Sequence, residues 1–393
     1  MNVPLQDAGS DGAPEPTRRP VVRYHGTGGT LAAETAETAE TAETAETADA
    51  VDADDTGYEQ RPWPDGPRWR TFTGGPCLPE PPDDDEADRR LGPASMPREP
   101  TAAEVRLVNA ALLLRRPLLV TGRPGVGKSG LAYRIARELR LGRVLQWPVS
   151  TRTTLTSALF EYDVLGRAQA GQAWYAAQST LGRAPTGDED GDRPPDIGEF
   201  VQLGPLGTAL LPWRLPRVVL IDEIDKSDPD LPNDLLHLFE DGWYAIPPLV
   251  RVKQQAPSVT VHTADPGGSA SVVDGIVRCH AFPIVIMTSN GEREFPAAFM
   301  RRCLRLDVED PDRAALSAMV AAQFGGELDA TQRDLVRRFM EHSDKVGGLA
   351  ADQLLNAAHL VTSGAYRAGD TDGAEWQAVL EAIWHPPNGD GTG

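Results

Sequence analysis

Apolar positions follow two rhythms along this chain. Leu118-Leu119-Val120, Val218-Val219-Leu220-Ile221 and Ile284-Val285-Ile286-Met287 are short unbroken apolar runs, the pattern of strands buried on both faces. Val144-Leu145-Gln146-Trp147, closed by Pro148, predicts another strand, and residues 304–308 a last one. Between the strands the spacing becomes helical. Leu131, Ile135 and Leu139 fall on one face of residues 130–140. Val105, Val108, Leu112 and Leu113 stripe a helix opened by Thr101-Ala102-Ala103-Glu104, with Thr101 as its N-cap. From residue 311 to 384 the period is helical throughout: Leu316, Met319 and Val320, then Leu335, Phe339 and Met340, then Leu354, Leu355 and Leu360. Strands alternating with helices predict an α/β unit on a parallel sheet, and the last stretch predicts a small all-α unit behind it.

The first hundred residues keep neither rhythm. Residues 1–56 read as an unfolded acidic tail in which Glu34, Glu37, Glu40, Glu43 and Glu46 recur every third position between Thr and Ala. A helix there would stack like charges and bury nothing. Residues 57–75 carry Tyr58, Trp63, Trp69 and Phe72 among prolines. They read as a strap on a folded surface or as a short motif for a partner. Asp83-Asp84-Asp85-Glu86 and the prolines of residues 79–100 read as a linker, so folding is expected from about Thr101.

Gly122-Arg123-Pro124-Gly125-Val126-Gly127-Lys128-Ser129, followed by Gly130, fits G-x-x-x-x-G-K-S between a predicted strand and a predicted helix. Glycines let such a loop fold closely around a triphosphate, and its amides with the helix N-terminus favour an anion. In this motif Lys128 reaches the β- and γ-phosphates and the Ser129 hydroxyl helps hold Mg²⁺. The apolar strand 218–221 ends in Asp222-Glu223, which places two carboxylates at a crevice beyond the strand's C-terminus. Asp222 would then sit by the metal, and Glu223 would orient or deprotonate the attacking water. Ser289-Asn290 ends the strand 283–288, where an amide reaches both γ-phosphate and water, although Asn290-Gly291 is also a strong turn pair. Arg301 and Arg302 precede the last strand, either as a solvated basic edge or as a finger toward a neighbour's nucleotide.

Charge and cysteines narrow the setting. A formal net charge of −20 disfavours a sequence-independent grip on nucleic acid. Cys77, Cys279 and Cys303 show no paired spacing, and His262 with His280 lacks a third ligand for a metal. No apolar run approaches membrane-spanning length and no signal-like start is evident, so a cytoplasmic protein is expected.

As an ordered set, the phosphate loop, the Asp-Glu strand, the strand-tip Asn and the Arg pair resemble the AAA+ ATPases. Leu203-Gly204-Pro205-Leu206-Gly207-Thr208-Ala209-Leu210, Leu220–Ser227, Leu236–Gly242 and Ala298–Arg302 resemble the MoxR-like branch of the helix-2-insert clade. The resemblance spans roughly residues 101–382. It implies a P-loop core with sheet order 5-1-4-3-2, helices on both faces and a helical lid. Residues 101–310 would form the core, and residues 311–393 the lid with a short tail. It implies ATP and Mg²⁺ as cofactors, bound by residues 122–130 and Asp222, with the metal on Ser129 and Asp222. Glu223, Asn290 as sensor 1, Arg302 and, second to it, Arg301 would be catalytic. It implies a homo-oligomeric ring, a hexamer, acting on a partner protein such as one with a von Willebrand factor A domain. Residues 150–166 resemble the clade's insert, residues 168–196 read as a loose acidic loop, and residues 243–282 as a β-hairpin before the sensor strand. Both additions are expected to project and touch a client or partner. Gly347-Gly348-Leu349-Ala350-Ala351 departs from the family, because no arginine stands where lids often supply one. That departure keeps open a second reading, an ATP-gated scaffold with slow turnover that recruits effectors.

Overall fold

A computed structural model describes residues 22–26, 63–79, 81–83, 85–92, 100–181, 194–324, 326–346, 349–363 and 373–384. The Thr-Ala-Glu repeat, Tyr58 and the acidic residues 188–190 lie outside the described residues. The described strands are β1 (Leu118–Thr121), β2 (Leu145–Pro148), β3 (Phe160–Tyr162), β4 (Val201–Leu203), β5 (Val218–Asp222), β6 (Trp243–Ala245), β7 (Ser258–His262), β8 (Ser269–Val273), β9 (Ile276–Arg278), β10 (Ile284–Ser289) and β11 (Leu304–Asp307).

β11-β1-β10-β5-β2 form an all-parallel sheet, the order 5-1-4-3-2 in strand sequence. Alternation along each strand divides the side chains between two cores. Leu118, Val120, Val218, Leu220, Ile284 and Ile286 point to one face, with Val108, Leu131 and Ile135 from the helices Ala102–Leu114 and Gly130–Glu138. Leu119, Val219, Ile221, Val285 and Met287 point to the other, against Leu206, Leu235 and Leu238. This is an AAA+ P-loop NTPase fold, with four helices behind it: Arg313–Phe324, Ala330–Val346, Ala351–Thr362 and Ala374–Ile383. Those helices close on their own core of Leu316, Val320, Leu335, Phe339, Leu354, Trp376 and Trp384. Thr101 caps its helix by accepting the Glu104 amide at 3.1 Å. Leu113 departs from its expected stripe and is 47% exposed, because the helix turns it away from the sheet.

The two additions prove to be one structure. β3 from the first and β4, just after it, join β6 to β9 from the second in a mixed six-stranded sheet, order β3-β4-β7-β8-β9-β6, through the parallel pairing of Gln202 with His262. In place of one hairpin, residues 243–282 supply four strands, and the pair β7–β8 stands at the centre of this sheet. The expected loose loop is also corrected in its first half: Val164–Leu181 is a helix.

The N-terminal region departs most from expectation. Within the expected tail, residues 22–26 dock on the core, where Tyr24 is buried and donates its hydroxyl to Glu104 at 2.7 Å. Asn109 receives the Tyr24 amide at 3.0 Å and returns its own amide to the Tyr24 carbonyl at 2.7 Å. Glu138, fully buried, accepts the amides of His25 and Gly26. The expected linker contains the helix Glu86–Leu91, fixed to the phosphate-loop helix by Arg137–Asp88 at 2.9 Å and by Arg90 over the Tyr133 ring. Residues 63–79 are a docked strap, with Trp63 and Phe72 packed on the two cores, whereas Trp69 is 81% exposed.

Candidate active site

The C-terminal ends of β1, β5 and β10 converge, and their side chains meet in two adjoining hydrogen-bonded groups, one around Lys128 and Asn290, the other around Ser129 and Asp222. The register sets this: Leu118 pairs with Ile286, and Ile286 with Leu220, so three strand tips arrive together. Past β1 the loop turns with Gly125 and Gly127 at φ of 76° and 87°, a region costly for residues with a Cβ. The turn brings Lys128 back under its own loop. Its Nζ donates to Gly122 O at 2.8 Å, Arg123 O at 2.7 Å and Asn290 Oδ1 at 2.7 Å. Burial pulls the Lys128 pKa below the usual lysine value, and Asp225, Asp222 and Glu223 oppose that pull.

Ser129 opens the following helix and donates its hydroxyl to Asp222 Oδ1 at 2.8 Å. Thr288 donates to the same oxygen at 2.6 Å and accepts the Glu223 amide at 2.9 Å. Asp222 Oδ2 accepts no hydrogen bond among the described residues. Glu223 sits at φ 59°, so the chain reverses its side chain relative to Asp222 and hands its carboxylate to Lys226 at 2.8 Å. Asp225 is buried and accepts the amides of Asn290 at 2.8 Å and Glu292 at 3.2 Å, which holds the β10 tip against β5.

The structure thus brings together residues 122–130, Asp222, Glu223 and Asn290. It does not bring Arg301 and Arg302 to them. Those two precede β11, whose start pairs with the start of β1, so they stand at the opposite end of the sheet. β1 is four residues long, about 13 Å at roughly 3.3 Å per residue. Arg302 lies on Glu240 at 2.8 Å, and the Arg301 carbonyl receives Arg116 at 2.9 Å.

Sequence reasoning gives no role to four residues that contribute. Thr288 is a hydroxyl closing an otherwise apolar strand, a signal present in the text but overshadowed by Asn290. Asp225 follows Asp222 by three residues, past the end of the strand, where nothing in the pattern assigns it a partner. Ala350 and Ala351 carry no chemistry to read, yet the Ala351 amide donates to Gly125 O at 3.1 Å and seats the lid on the loop. A cleft of about 270 Å³ lies beside this contact, lined by Arg123, Pro124, Asp310, Phe339, Met340 and Leu349 among others. Its arginine is Arg123, from the phosphate loop itself. His262 ends β7 and His280 lies past the end of β9, and no group of His, Cys, Asp and Glu among the described residues could hold a metal on its own. No described helix is long and apolar enough to cross a membrane.

No curated protein matches the chain. Among solved structures, NtrX from Brucella abortus in complex with ATP matches at 15% identity over 66% of this chain and 50% of that one, with a TM-score of 0.31. The same protein in complex with ADP matches at 15% identity over 62% and 44%, with a TM-score of 0.29. This chain thus spans half or less of those structures. Residues 117–303 match the AAA domain family, dynein-related subfamily, a span that opens just before β1 and closes just before β11. Residues 117–303 are therefore similar to a AAA domain of the dynein-related subfamily, and the parallel sheet they build has the P-loop NTPase fold.

Proposed function

We propose that this protein is an Mg²⁺-dependent, MoxR-like AAA+ ATPase that assembles as a ring and couples ATP hydrolysis to remodelling or activating a partner protein. The observation that carries this reading is the meeting at one set of strand tips of Lys128 with Asn290 at 2.7 Å and of Ser129 with Asp222 at 2.8 Å. Lys128 holds loop carbonyls that phosphate oxygens can replace, and its buried ammonium acts more strongly there than in water. Ser129 and Asp222 offer adjacent hard oxygens, with Asp222 Oδ2 still unbonded, a donor set that suits Mg²⁺ alongside phosphate. Mg²⁺ held there offsets negative charge on the phosphates.

Glu223 orients or deprotonates the attacking water once it leaves Lys226. That pair is solvent-exposed, so its release costs only about 0–1 kcal/mol. Asn290 accepts the Lys128 ammonium at its Oδ1 and keeps its Nδ2 donors for the γ-phosphate or the water. Arg302, with Arg301 beside it, faces away from its own nucleotide, which fits a finger that stabilises transition-state charge on a neighbouring subunit's nucleotide. The ring, a hexamer by family resemblance, follows from that need for a neighbour. A von Willebrand factor A domain protein is the partner class that the resemblance suggests.

The test is direct. Lys128→Ala abolishes ATP binding, and unchanged affinity would refute the loop's role. Glu223→Gln retains ATP but slows turnover roughly 100-fold or more, as loss of a general base does. The slow scaffold keeps one observation in its favour: Ala350 and Ala351, not an arginine, lie on the phosphate loop. Negligible single-turnover hydrolysis by the assembled wild type, with binding intact, would decide for it.

A further inference from the structure

Glu240 stands in the last turn of the helix Leu231–Asp241, where a carboxylate meets the negative end of the helix dipole and no basic residue of that turn offsets it. Two guanidiniums from distant parts of the chain do so instead. Arg302 Nε donates to Glu240 Oε1 at 2.8 Å, and Arg70 Nη1 donates to Oε2 at 3.2 Å. Arg70 belongs to the strap and is itself immobilised. It is 7% exposed, donates to the Arg115 carbonyl, and lies over the Phe282 ring at 4.9 Å, which stacks on Phe72 at 5.1 Å. The far side of the carboxylate is therefore bolted to the core, whereas its near side and Arg302 are partly exposed.

The bonding of Arg302 separates presentation from sequestration. Its Nε is taken by Glu240 and its Nη1 by the Ala298 carbonyl at 3.2 Å, while Nη2 has no partner among the described residues. A guanidinium gripped by its inner nitrogen, with an outer one left over, has its plane set and its tip available. A quenching partner would occupy the outer fork instead.

We propose that Glu240 is a positioning residue for Arg302, anchored from behind by Arg70, so that the N-terminal strap sets the aim of the arginine that serves the neighbouring subunit. This rests on the reading of Arg302 as a finger in trans. Docking of the strap then becomes a condition for efficient hydrolysis next door, although among the described residues no hydrogen bond joins the strap to the phosphate loop or Asp222.

Subunit mixing tests it. Glu240→Gln keeps one acceptor oxygen and removes the charge at the helix end, so its own ATP binding is expected to be intact. Its kcat falls about tenfold at unchanged KM, as misaiming of a transition-state contact does. Mixed with Glu223→Gln protein, it recovers hydrolysis, because the Glu223→Gln subunits present a properly aimed Arg302. Added to Arg302→Ala, it causes no further loss. Unchanged or raised kcat in Glu240→Gln overturns the proposal, as does weakened ATP binding or an additional loss on the Arg302→Ala background. Recovery for Arg302→Ala on mixing, without recovery for Glu240→Gln, overturns the proposal alone. Absence of recovery for Arg302→Ala overturns the trans reading and the proposal with it.

Discussion

Burial decides the chemistry of single residues that the sequence leaves equivalent. Cys77 is exposed, whereas Cys279 and Cys303 are buried, and desolvation pushes both buried thiols up to about 12. A thiol is reactive as its thiolate, so at neutral pH Cys77 should react with a maleimide quickly and the other two only after unfolding. Rapid labelling of more than one thiol in the native protein would contradict this. The same shifts set a pH dependence. Between the ordinary value of 9.0 and about 12 the folded state holds protons that the unfolded state has released. Their contribution to stability is thus full below pH 9 and is lost as pH rises toward 12, readable as a falling denaturation midpoint in alkaline buffers. Asp222 and Glu223 make the point at the site itself. They are neighbours in the chain, yet one joins Ser129 and the other Lys226, because Glu223 adopts a positive φ that no pattern of residue types announces.

At the scale of elements, the second sheet shares a hydrophobic core with the first, and a buried ion pair reinforces the joint. Arg217, just before β5, meets Asp265 of the β7–β8 turn in two bonds of 2.8 Å, with side chains 0% and 4% exposed and the guanidinium over the Trp213 ring. Removing one partner leaves the other charged and dry, so Asp265→Ala should lower stability by about 3–5 kcal/mol in chemical denaturation. Replacing both by apolar residues, as in Arg217→Met with Asp265→Leu, should restore most of that loss. A loss from Asp265→Ala below about 1 kcal/mol, the level of a surface pair, would show that the pair does not reinforce the joint. The pair joins residues 48 positions apart, and neither is distinguished in the sequence from an ordinary surface charge. The helix Glu86–Leu91 was hidden for a related reason: it is short and has no buried residue, so it declares no apolar stripe of its own.

For the whole molecule the decisive contact is that between lid and loop. A Cβ on Gly125 would lie 2.2 Å from the Ala350 Cβ, and φ of 76° already disfavours a side chain there. Gly125→Ala should therefore push the lid off, seen as faster hydrogen exchange of the Ala351 amide with protection in β5 and β10 unchanged. Equal protection of Ala351 in both proteins would show that the lid does not rest on the loop. Here too lies the division between text and fold. The sequence by itself determined the parallel sheet, its helices, the lid and the phosphate-loop set, because burial on both faces imposes unbroken apolar runs and phosphate binding imposes a fixed spacing of glycines, Lys128 and Ser129. Tertiary structure alone decided the joining of two insertions into one sheet, the docking of residues 22–26 and the strap, and the company of Arg302. Those depend on single polar contacts between distant segments, such as Glu138 with the His25 and Gly26 amides or Glu240 with Arg70. Such contacts have no period along a chain, and only the folded neighbour gives them meaning.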